Sequence, residues 1–168
     1  LIDPIIALPP SQRTGYYAGE GEHPMAERAR KRRRRFESRA ALRAKWEQRN
    51  VYADWDRQAL IELLDHAFRD SPKGGIELKC DPDVEALIYE GGRDLEFFAE
   101  VGSLTVPARL FHSERGFVPR AVAEQLVASS QFLHLERLEL GHFAPMESPS
   151  EMASMILHES AGILPPPD

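Results

Sequence analysis

In LELGHFAPMESPSEMA, residues 138–153, a Gly-His pair separates a short apolar run from a strong helix-start signal. A histidine loses its charge near pH 6.5 when nothing perturbs it, so one fixed at a sharp turn can act as a general base close to neutral pH. A turn or surface histidine fits the same local pattern, and these residues alone leave both readings open. A base of this kind needs a group to activate, and the 168 residues contain no Gly-x-Ser-x-Gly turn. Cys80, the single cysteine, is expected to be a packed thiol rather than a nucleophile. His112, Glu114, His134 and Glu136 form two His-x-Glu pairs that alternate onto one strand face. They lack the Pro-Cys-x-x-Cys partner or the His-Glu-x-x-His helix that would complete a zinc centre, so no metal and no cofactor is expected. RARKRRRR, residues 28–35, could meet nucleic acid. A helix spreads those charges around its cylinder, and only Phe36 accompanies them as a stacking platform, so a solvated helix is the preferred reading.

The elements that must hold His142 are legible on both sides of it. TVPARLFH reads as a strand, VPRAVAEQLVAS as a helix with Pro119 near its start, and FLHLERLEL as a second strand, polar enough to lie at an edge. Ser148-Pro149-Ser150-Glu151 then opens a helix with Met152, Met155 and Ile156 on one face. Strand, helix, strand, helix implies a parallel crossover in an α/β fold, with His142 beyond the carboxyl end of a strand. Residues 24–90 read as helical almost throughout. Ser38, Asp54 or Asp56, and Asp81 followed by Pro82 are the helix starts, and Lys73-Gly74-Gly75 is a turn. The chain therefore divides into residues 1–10, the end of a core strand; 11–92, a helical insertion; and 93–168, the second part of the core.

Composition narrows the setting. Twenty-one basic against 27 acidic residues give a net charge of −6, which argues against a general nucleic-acid or membrane-surface binder. No stretch approaches the ~20 apolar residues of a membrane span. One cysteine fits a reducing compartment, and a cytoplasmic location is the expectation.

LELGHFAPMESPSEMASMIL resembles the end of the α/β-hydrolase fold, where the last strand runs into a Gly-His turn, a Pro-Met-Glu-type stretch (Pro145-Met146-Glu147 here) and a terminal helix. LIDPIIALP resembles the strand after that family's nucleophile elbow, residues near 20–90 its helical cap, and TVPARLFHSERGFVP its next strand and acid-bearing loop. The resemblance makes His142 the catalytic base and the fold an incomplete α/β-hydrolase sheet: its last parallel strands, flanking helices and a cap. It also implies that the elbow and oxyanion hole precede this stretch, so the 168 residues alone should be inactive. Many members carry the orienting acid after the next-to-last strand, but Phe117 stands at that place here. Other members carry it after the earlier strand, which makes Asp3 the first candidate; Glu114, in the later loop, is the second. The implied whole is a serine esterase or lipase-like enzyme for a small apolar ester. The alternatives are an aspartate-nucleophile enzyme of the haloalkane dehalogenase or epoxide hydrolase kind, and a noncatalytic binding protein on the same scaffold.

Overall fold

The computed structural model describes residues 1–92 and 97–160. Strand β4 (Ala108–Ser113) and strand β5 (Leu133–Leu138) pair in parallel, with Ala108 opposite Leu133 and Ser113 opposite Leu138. Helix α6 (Arg120–Val127) joins them as the crossover. On the other side of β4, Ile2 bridges Phe111 in parallel, and the Asp3 N–H donates to the Phe111 carbonyl at 2.7 Å. The first three residues thus run beside β4, which stands between them and β5. Leu110, Leu126 and Leu133 form the core under this layer, with Ile6, Val101 and Ala123 closing its sides. Val101 comes from α5 (Phe97–Gly102); LEFFAE, residues 95–100, reads in sequence as a short helix, and its residues 95 and 96 lie outside the described residues.

Past β5 the chain forms a single turn, α7 (Ala144–Glu147), and then α8 (Pro149–Ser160). Met152 is buried against Leu138 and Ala144, and Met155 packs at the rim of the same cluster. Ile156 departs from the expected stripe and is 53% exposed. Cys80, expected to be packed, is exposed.

The intervening segment has its own core, made by Leu42, Trp46, Leu60, Leu64, Phe68 and Ile76. Helix α2 (Arg39–Trp46) starts at Ser38, whose hydroxyl accepts from the Ala41 N–H at 3.1 Å. Helix α3 (Arg57–Ala67) starts at Asp56, which accepts from Gln58 and Ala59. A nearly all-helical reading of this segment needs correction. Arg35–Phe36 (β1), Phe68–Asp70 (β2) and Ile76–Leu78 (β3) form an antiparallel sheet in the order β1-β3-β2. In RQALIELLDHAFR the spacing of Leu60, Leu63, Leu64, Ala67 and Phe68 predicts one helical stripe, but Phe68 instead opens β2. Gly74 and Gly75 turn β2 into β3 at φ of +86° and +72°.

Helix α1 (Pro24–Arg30) lies against α4 (Pro82–Gly91) through the small side chains of Ala26, Ala29 and Ala86. That close approach brings the basic run against acids. Arg30 pairs with Glu90 at 2.7 Å, Arg34 with Asp83 at 2.9 Å and also with Asp81, and Lys31 with Glu27. Arg32 donates to both oxygens of Glu85. Hydrogen bonds from Arg69 hold Glu77 below the usual carboxylate range, Arg30 does the same for Glu90, and the Asp83 N–H and then Arg34 do so for Asp81. A carboxyl group whose folded value is depressed stabilises the fold fully above its unfolded value, and that contribution is lost as pH falls through the folded value. Melting of the insertion should therefore be flat from pH 7 to about 5 and decline below about 4, modestly because the pairs are solvent-exposed. Thermal scans by circular dichroism check this; a midpoint unchanged at pH 3 would contradict it.

Candidate active site

Asp3 is the best-buried carboxylate near the end of β4, with its side chain 1% exposed. An ionised carboxylate in such a place needs donors on both oxygens. Oδ1 accepts the Ser113 N–H at 2.9 Å, and Oδ2 lies 2.8 Å from His142 Nδ1. Because the carboxylate only accepts, Nδ1 carries the proton and donates it, which leaves Nε2 as the basic nitrogen. Among the described residues no hydrogen-bond partner takes up Nε2. The imidazole side chain is 22% exposed, at the edge of an open depression of about 280 Å³ that Trp55, Arg115, Phe117 and Phe143 also line.

Local backbone explains how two residues so far apart in sequence meet. Ser113, 1% exposed, terminates β4 and works in three directions. Its N–H holds Asp3, its hydroxyl donates to the Leu140 carbonyl at 2.5 Å, and the same oxygen accepts the Arg115 N–H at 3.0 Å. It thereby ties the Asp3 segment to the stretch leading into His142. Gly116 is required because a Cβ there would overlap Asp3 Oδ2. Replacing Gly116 by alanine should push the carboxylate from its seat, and in a protein with turnover should lower kcat on the order of 10- to 100-fold. Steady-state kinetics check this; an unchanged kcat would show that the carboxylate relocates freely.

The other candidates lie elsewhere. Glu114 is 54% exposed and faces Arg120 at 3.9 Å and Arg137 at 3.8 Å, so its charge is turned away from the imidazole. Phe117, at the position where an acid was sought, lays its ring against His142 with centroids 4.6 Å apart. His112 is buried and donates to the Val118 carbonyl through Nε2 at 2.8 Å, while Glu136 pairs with Arg109 at 3.0 Å. The two His-x-Glu pairs therefore do not converge, and among the described residues no group of three His, Cys, Asp or Glu could hold a metal. Also among these residues, no helix is long and apolar enough to cross a membrane.

No protein-family profile and no curated protein matches the chain in sequence. Solved structures do match in shape. The peroxisomal α/β-hydrolase Lpx1 of Saccharomyces cerevisiae superposes with a TM-score of 0.72 at 16% identity, over 94% of this chain and 44% of that one. E-2-(acetamidomethylene)succinate hydrolase gives 0.63 at 16% identity, over 74% and 46%. The thioesterase domain from the curacin biosynthetic pathway gives 0.62 at 15%, over 79% and 50%. The chain carries part of an α/β-hydrolase fold. It spans about half the length of these α/β-hydrolase structures. Identities this low establish the fold, and the chemistry must be argued from the site itself. The sequence reading gave no role to Ser113, Arg115, Gly116 or Glu147, which the structure gathers around Asp3 and the His142 turn. Ser113, Arg115 and Gly116 stand in TVPARLFHSERGFVP and Glu147 in the Pro-Met-Glu stretch, so the likeness to the family pointed to their segments and not to their roles.

Proposed function

We propose that these residues supply the base and acid of a hydrolase that cleaves a small apolar ester through a serine nucleophile located outside them. The observation that carries this reading is the bond from His142 Nδ1 to the buried Asp3 carboxylate, with Nε2 left available at an open depression. In this reading His142 Nε2 takes the serine proton as the hydroxyl attacks the ester carbonyl. Asp3 holds the tautomer and stabilises the imidazolium. His142 then protonates the leaving alkoxide and, in the second half-reaction, activates the water that releases the acid. Phe117, Phe143 and Trp55 give the depression an aromatic wall suited to an apolar acyl or aryl group. A base held by an acid supports catalysis over a noncatalytic binding role.

An aspartate nucleophile would use the same base on a haloalkane or epoxide. Reading the transcript upstream of Leu1 separates the possibilities, because Gly-x-Ser-x-Gly selects the esterase and Gly-x-Asp-x-Gly its alternative. The protein translated from that transcript is then assayed on p-nitrophenyl esters of increasing acyl length. Turnover that is lost when the elbow serine is replaced supports the proposal. Absence of both elbow sequences, with no hydrolysis of any ester, would reject it.

A further inference from the structure

We propose that Glu147 is the positioning residue of the His142 turn, and that Arg115 links that turn to the helical insertion; this rests on the catalytic reading of His142. The Glu147 side chain is only 8% exposed, although it is a carboxylate. Its Oε2 accepts the Gly141 N–H at 2.8 Å and faces Arg115 Nη2 at 3.0 Å. Burying a carboxylate without partners is costly, and a residue that merely filled this space could be apolar at no such cost. The atom it holds is the backbone N–H immediately before His142. The imidazole is thus fixed twice: Asp3 holds the ring, and Glu147 holds the backbone that carries it.

Gly141 completes the device. Its φ lies outside the left-handed region, so another residue could adopt this backbone, yet any Cβ would overlap Glu147 Oε1. The need for glycine here comes from the carboxylate, not from the turn. Arg115 extends the contact outward, reaching Asp54 Oδ2 at 3.3 Å and the Glu139 carbonyl at 3.5 Å. Asp54 precedes Trp55, whose ring meets Phe143 at 5.4 Å. The wall of the depression and the turn behind it are therefore joined through one guanidinium.

The test uses the complete protein with Glu147→Ala, Glu147→Gln, Gly141→Ala and the double variant Gly141→Ala/Glu147→Ala. Misplacing a catalytic group by about 1 Å can cost on the order of 100-fold, so Glu147→Ala should lower kcat by about 10- to 100-fold while KM changes by less than about threefold. Glu147→Gln should recover most of that loss, since its amide oxygen can still accept the Gly141 N–H. Gly141→Ala should fall as Glu147→Ala does, and the double variant should be no worse than Glu147→Ala alone, because both changes remove the same hold. Equal losses in the alanine and glutamine variants, or losses that add in the double variant, would overturn the proposal. Proton NMR of the His142 Nδ1–H bound to Asp3 gives a readout without substrate. That signal should stay sharp in Glu147→Gln and broaden in Glu147→Ala; equal sharpness in both would also overturn it. Should the His142→Ala enzyme keep its turnover, the catalytic reading falls while this resonance still reports on Glu147.

Discussion

On the catalytic reading proposed above, replacing His142 by alanine in the complete protein is expected to lower kcat on the order of 10⁶-fold while leaving the fold in place. The imidazole is partly exposed and its ring contacts are with Phe117 and Phe143, so its removal opens the depression instead of emptying the core. Loss of the base leaves the nucleophile protonated, and what remains is catalysis from binding and oxyanion stabilisation. Rates on one ester, with circular dichroism as the check on folding, decide it. A variant that kept most of its turnover would remove His142 from the chemistry.

The second large effect is at Asp3. Asp3→Asn preserves size and one acceptor, so Ser113 can still be served, but an amide can present its N–H₂ to Nδ1 and favour the opposite tautomer. Nε2 would then carry the proton and could not take one, and turnover should drop by about 10⁴-fold. Glu114→Gln, in the loop where Arg120 and Arg137 face it, should change turnover by less than about twofold. The opposite ranking of these two variants would mean that the acid works from the later loop.

The elements that proved legible in the sequence are those with a local chemical cause. Ser38, Asp56 and Asp81 each accept an N–H from the first turn of a helix, and such signals lie within three residues of what they cap. The parallel strands could be read because each is six residues long and bounded by turns. The antiparallel sheet could not, because its strands run only two or three residues: β2 and β3 are too short to show an alternation although the Gly74-Gly75 turn joins them, and β1 pairs through Arg35 with Glu77, far along the chain. In the site, Gly141-His142 is a local signature, whereas Asp3 was reached only through likeness to a family. Glu147 received no role because a charged residue in sequence reads as solvated until the fold reveals what encloses it, and Arg115, half exposed, shows its part only through its partners Glu147 and Asp54.

The backbone at Asp3 has φ of +35°, and no other non-glycine residue among those described has a positive φ. L-amino acids enter that region at a cost, with glycine the natural occupant and asparagine and aspartate the side chains that tolerate it best. The short list of residues compatible with this bend thus contains one anion. A glutamate would bring the same charge with a less tolerant backbone and an extra methylene in a space already shared with Gly116. Chain geometry, before any demand from the imidazole, restricts which acid can stand at position 3.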